Sequence, residues 1–141
     1  MTRLFLLVDD DCDDAELFGE ALSLVEPTID FYHAPDGKSA FKYLGSLTNK
    51  RPDLIFLDLN MPEMSGWQCL ARLKNDHLLK DIPVVMYSTS SHQRDKEIAI
   101  ELGAIGFITK PSDYKALQGT LKRIASAPDM QIEKLIQEFR L

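Results

Sequence analysis

Uninterrupted apolar runs alternate along this chain with segments of helical spacing, and that alternation leaves few folds open. The runs are Leu4-Phe5-Leu6-Leu7-Val8, Leu54-Ile55-Phe56-Leu57, Val84-Val85-Met86-Tyr87 and Ile105-Gly106-Phe107-Ile108-Thr109. A strand that is apolar at every position is buried on both faces, as in a parallel sheet between helices. Residues 29–34 alternate Ile29, Phe31 and His33 with Asp30 and Tyr32, which predicts a further strand with one exposed face. Helical spacing fills the intervals. It runs over 14–25 behind Asp13 as N-cap, through Ala40, Phe41, Tyr43, Leu44 and Leu47, and through Trp67, Leu70, Ala71 and Leu73. Further helices are predicted at about 92–102, with Gly103 as the C′ residue, and at about 113–126. Pro52 and Pro83 mark the entries to two of the strands. Five strand–helix units in series predict a parallel α/β sheet covered on both faces, with right-handed crossovers.

The 141 residues suit one domain, residues 1–127, followed by a C-terminal extension over 128–141. Ile132, Leu135, Ile136 and Phe139 predict a short amphipathic helix in that extension. The net charge of −6 argues against a nucleic-acid surface. No apolar run is long enough to span a bilayer, and no signal peptide is read at the N-terminus. Cys12 and Cys69 show neither CxxC spacing nor a disulfide framework, so two reduced thiols in a cytoplasmic protein are expected.

The residues that end the apolar runs carry the chemistry. They are Asp9-Asp10, Asp58, Ser88-Thr89 and Lys110-Pro111. In a parallel sheet all strand C-termini share one edge, where ligands bind. Asp9, Asp10 and Asp58 would therefore meet. Two carboxylates about 4 Å apart repel by roughly 4 kcal/mol at an effective dielectric near 20. One lysine offsets that only in part; a hard divalent cation does so fully. Mg²⁺ uses one or two carboxylates and leaves positions for water and phosphate oxygens. A carboxylate beside it can act as a nucleophile and form an aspartyl phosphate. Lys110 and Ser88 would hold other phosphate oxygens, so the work is mostly positioning and charge neutralisation.

In order and spacing, Leu6-Leu7-Val8-Asp9-Asp10, Asp58-Leu59-Asn60-Met61-Pro62 with Gly66, Ser88-Thr89 and Lys110-Pro111 closely resemble the response-regulator receiver domain of two-component signalling. The resemblance runs from residue 3 to about 126. It implies a flavodoxin-like five-stranded parallel sheet of order 2-1-3-4-5, with helices on both faces. It implies Asp58 as phosphoacceptor, Asp10 as principal Mg²⁺ ligand assisted by Asp9, and the Asn60 backbone carbonyl as a further ligand. Lys110 and Ser88 take their family roles, and the Lys110–Pro111 peptide is expected to be cis. Ser88 and Phe107 stand at the switch positions: Ser88 turns toward the phosphoryl group and Phe107 rotates inward. The face formed by the fourth helix, fifth strand and fifth helix then changes for partners to read. Thr89 is larger than the small residue usual there, and slow to moderate self-dephosphorylation is expected.

The resemblance implies a phosphoacceptor that assists its own phosphorylation and dephosphorylation rather than an enzyme, and the length of 141 residues leads us to expect a stand-alone receiver. Expected partners are a histidine kinase or histidine phosphotransfer protein and an unidentified downstream target. A homodimer is possible, and neither nucleic acid nor membrane is expected. Two other readings fit less well. An aspartate-nucleophile phosphohydrolase would place its nucleophile after the first strand and carry a cap module. A flavodoxin-type carrier would want a glycine- and hydroxyl-rich loop where this chain has acids.

Overall fold

A computed structural model describes residues 2–128 and 131–137. The strands are β1 (Leu4–Val8), β2 (Asp30–Ala34), β3 (Leu54–Leu57), β4 (Val84–Ser88) and β5 (Gly106–Thr109). They alternate with α1 (Cys12–Val25), α2 (Gly37–Leu44), α3 (Gly66–Asn75), α4 (Gln93–Glu101) and α5 (Tyr114–Ser126), and α6 (Ile132–Gln137) follows. The sheet is parallel with order β2-β1-β3-β4-β5, as expected.

The two-residue side-chain period splits each buried strand between two cores. Phe5, Leu7, Phe56, Val85, Tyr87 and Ile108 face one side, where Phe18 and Leu22 of α1 and Leu121 and Ile124 of α5 cover them. Leu6, Val8, Ile55, Leu57, Met86 and Phe107 face the other, under Ala40 of α2, Leu70 and Leu73 of α3, and Ala99 of α4. β2 is an edge strand, which explains why Asp30 and Tyr32 are exposed while Ala34 is buried.

Three local expectations are corrected. The cap of α1 is Asp11, not Asp13: its carboxylate accepts from Asp14 N at 3.0 Å, so the helix starts two residues earlier. Helix α2 is capped by Asp36, which accepts from Ser39 N at 2.7 Å, and it stops at Leu44. Leu47 therefore lies beyond the helix and is fully exposed rather than part of its apolar face. No described peptide bond is cis, so Lys110–Pro111 is trans, the isomer favoured by about 0.5–1 kcal/mol at an X–Pro bond. Gly103 does follow α4 with φ +101°, a left-handed conformation that glycine adopts without a Cβ penalty.

Helix α6 packs on β5 and α5. Ile132 and Ile136 are buried in the core that α1 and α5 cover, while the expected partner Phe139 lies outside the described residues. The seat for Ile136 is Gly106. A Cβ there would overlap Ile136 Cγ2, so the missing side chain makes the room. Ile136→Ala is expected to lower unfolding stability by about 3 kcal/mol, read as a fall in the urea midpoint. A midpoint equal to wild type would mean that α6 adds nothing to the fold.

Candidate functional site

The C-terminal ends of β1 and β3 set the first part of the site. Asp58 N donates to Val8 O at 2.9 Å and Asp9 N donates to Ala34 O at 3.1 Å, so the ladder carries both acids to one edge. Carboxylate oxygens of Asp9, Asp10 and Asp58 all lie within 4.8 Å of one another. Asp9 is wholly buried, Asp58 is 6% exposed, and Asp10 reaches solvent. Asp9 Oδ1 accepts from Asp11 N at 2.9 Å, and Asp58 Oδ1 accepts from its neighbour's Leu59 N at 2.9 Å. Asn60 follows in the exposed loop, two residues past Asp58.

Strands β4 and β5 bring the rest. Lys110 N donates to Ser88 O at 2.7 Å. The Lys110 ammonium then reaches across to α1 and β1, with Nζ 2.8 Å from Asp9 Oδ2 and 2.9 Å from Asp14 Oδ2. The contact to Asp9 has ion-pair distance but poor direction, and Asp9 Oδ2 is left without a well-aligned hydrogen-bond donor. Ser88 is buried; its Oγ accepts from Ser90 N at 3.3 Å. Thr109 Oγ1 donates to Ser90 O at 2.9 Å, and Ser90 Oγ donates to Asp95 Oδ2 at 2.5 Å, which ties the β4–α4 loop to β5 and α4. Phe107 is 1% exposed, its ring already enclosed by the α3–α4 side of the core.

Charge is the dominant fact at this edge. Burial and then the Asp9 charge, with a smaller push from Asp10, raise the Asp58 pKa to about 7 against the opposing pull of Lys110 and Leu59 N–H. Burial works against the Lys110 ammonium, but pairing with Asp9 and Asp14 outweighs it and holds the group above the ordinary lysine value. Burial also raises Tyr87, whose ring centroid lies 5.6 Å from Lys110 Nζ. One ammonium faces four carboxylates. The clustered hard oxygens, one of them a buried acceptor without an aligned donor, fit a divalent cation of the Mg²⁺ class.

A cavity of about 370 Å³ opens beside the cluster, lined by Asp14, Tyr87, Thr89, Lys110 and Tyr114. A larger one, about 520 Å³, lies between α2 and the β3–α3 loop, with Lys38, Phe41, Met64 and Arg72 on its walls. Its size does not make it the chemical centre, because its lining lacks Asp9, Asp10, Asp58 and Lys110. Two contributors escaped the sequence reading. Asp14 is the second partner of Lys110, and its signal was its place in the first turn after β1. His33 Nε2 lies 2.7 Å from the Asp9 carbonyl oxygen. A carbonyl only accepts, so that nitrogen carries the proton.

Comparison with known proteins agrees with this geometry. Residues 5–122 match the family model for the response regulator receiver domain. The chain is 34% identical over 128 residues to response regulator Rcp1 of Synechocystis sp. (strain ATCC 27184 / PCC 6803 / Kazusa), covering 88% of this chain and 87% of that protein. The solved Mn(2+)-bound form of Rcp1 superposes with a TM-score of 0.77 at 33% identity, over 88% of this chain and 92% of that one. The phosphorylated cyanobacterial phytochrome response regulator RcpA superposes at 0.79 with 35% identity, over 86% and 90%. Phosphate regulon transcriptional regulatory protein PhoB of Pseudomonas aeruginosa (strain PAO1) is 30% identical over 122 residues. That match takes in 86% of this chain and 51% of PhoB, so the chain spans about half the length of that regulator. An acidic cluster at the end of a 2-1-3-4-5 sheet, a lysine immediately after β5 and a family match over most of the length lead to one conclusion: the chain belongs to the response regulator receiver domain family.

Proposed function

We propose that this chain accepts a phosphoryl group on Asp58 from a phosphohistidine donor, with Mg²⁺ bound beside it, and so switches a partner-binding surface in a two-component relay. The observation that carries the reading is the convergence of Asp9, Asp10 and Asp58 within 4.8 Å, with Lys110 paired to Asp9. Asp10, Asp9, Asp58 and the Asn60 carbonyl would hold the cation. A bound Mg²⁺ supplies charge neutralisation for the acids and for the incoming phosphoryl oxygens. A carboxylate oxygen of Asp58 forms the new P–O bond while the P–N bond to the donor imidazole breaks, and its electron pair leaves with that nitrogen. Lys110 and the Ser88 hydroxyl donate to phosphoryl oxygens. The solved forms of RcpA (phosphorylated) and Rcp1 (Mn(2+)-bound) support this assignment by similarity.

The donor in this reading is a histidine kinase or a histidine phosphotransfer protein. Residues 1–127 carry the chemistry and 128–141 are an extension. Ser88 links phosphorylation to the rest of the fold. Turning it toward a phosphoryl oxygen gives up its contact with Ser90 N and loosens the Thr109–Ser90–Asp95 tie to α4. Phe107 starts from an enclosed position, so its part in the switch is a change of packing rather than entry from solvent.

The test is incubation with acetyl phosphate and Mg²⁺, followed by intact-mass measurement. One base-labile phosphoryl adduct is expected on wild type and none on Asp58→Asn. An adduct that survives in Asp58→Asn, or a wild type that takes none up, would overturn the assignment.

A further inference from the structure

Asp14 holds the lysine in a way the phosphoacceptor reading does not itself require. It occupies the third position of α1, counted from the cap Asp11. In a capping box the side chain at that position turns back to the cap residue's N–H. Here Asp11 N is already taken by Asp9 Oδ1 at 2.9 Å, so the Asp14 carboxylate is released for another donor. It finds Lys110 Nζ at 2.9 Å, across the gap between α1 and β5. The lysine thus sits between two carboxylates on the α1 side of the cluster, and it forms no ion pair with Asp58 among the described residues.

We propose that Asp14 is a positioning residue that holds the Lys110 ammonium on the α1 side and competes for it with the phosphoryl group on Asp58. The inference rests on Asp58 being the phosphoacceptor. A lysine ammonium has three donors; one is given to Asp14 Oδ2, while Asp9 holds the group at ion-pair distance. A phosphoryl dianion on Asp58 carries more charge than one carboxylate and draws the ammonium toward itself. Asp14 pulls the other way, so it weakens the lysine's hold on the phosphoryl oxygens and favours the unphosphorylated state. Asp14 is half-buried, so its pull is screened in part, and its effect is graded rather than absolute.

The experiment measures beryllofluoride binding to the Mg²⁺-loaded protein by calorimetry. Asp14→Asn is expected to bind this phosphoryl mimic about three- to fivefold more tightly than wild type, the scale of one partly exposed ion pair. In a Lys110→Gln background the same substitution is expected to change nothing. Equal tightening in both backgrounds would mean that Asp14 acts only as a distant charge, and would overturn the proposal. Unchanged or weaker binding in Asp14→Asn alone would overturn it as well. A second measurement does not depend on the mimic. The Lys110 ¹³Cε NMR signal of the metal-free protein is expected to move on Asp14→Asn, and a signal that stays put would refute the contact. A wild type that binds no beryllofluoride would instead bring down the phosphoacceptor reading beneath it, while the NMR signal still reports on the lysine.

Discussion

Without divalent metal, Asp58→Asn is expected to be more stable than wild type at pH 8, by on the order of 3 kcal/mol, and no more stable at pH 4. Burial beside Asp9 raises the Asp58 pKa from 3.8 to about 7 in the folded chain. Between those two values the folded state holds a proton that the unfolded state has lost. Stability of the wild type therefore falls as pH rises from about 4 to about 7 and levels off above that. A shift of this size corresponds to roughly 4 kcal/mol at most, at about 1.4 kcal/mol per unit, and coupling to Asp9 argues for the lower side of that figure. Asparagine is isosteric and uncharged, so it removes the penalty at high pH and has nothing to remove at low pH. Urea unfolding of both proteins in EDTA, from pH 4 to 8.5, reads the difference and cancels the titrating groups that do not interact with Asp58. Mg²⁺ at about 100 times its dissociation constant would return roughly 2.7 kcal/mol to the wild type at pH 8. A gap that stays constant with pH would show that Asp58 is not strained by its neighbours.

The parts of this fold that were legible in the sequence are those set by burial. Leu4–Val8 and Leu54–Leu57 contain no polar residue, and a run of that kind fits a strand enclosed by helices on both sides. Once the strands were placed, the shared edge brought Asp9, Asp58, Ser88 and Lys110 together without further information. What resisted reading is set by competition among similar groups. Asp9, Asp10, Asp11, Asp13 and Asp14 crowd six positions, and each has a carboxylate able to cap a helix or bind a cation. Residue type alone could not show that Asp11 caps α1 while Asp14 turns to Lys110. Leu47 kept helical spacing beyond the point where the helix ends, because periodicity continues through a turn as readily as through a helix. The spacing of Ile132 and Ile136 announced an apolar face, but its docking place depended on the missing side chain of Gly106.

Glycine also governs the placement of Asp58, and Gly66→Ala is expected to cost about 3 kcal/mol of stability. Gly66 opens α3, and its N–H donates to Leu59 O at 2.7 Å, so the helix start is pressed against the segment that carries the acid. A Cβ on Gly66 would lie 2.7 Å from Leu59 Cα and 2.9 Å from the Asp58 carbonyl carbon, and closer still to the Asp58 carbonyl oxygen. All three are backbone atoms, so no rotamer change relieves the overlap. Either α3 or the Asp58 backbone has to move. The substitution should therefore act twice: a lower urea midpoint, and weaker Mg²⁺ binding in the protein that remains folded. Gly119→Ala is the control. Nothing lies within 4 Å of its added Cβ, and it sits inside α5, so alanine there should raise stability by about 0.5–1 kcal/mol. If Gly66→Ala instead behaved like Gly119→Ala, the close approach of α3 to the end of β3 would be wrong. The placement of Asp58 against Asp9 and Asp10 would then need another explanation.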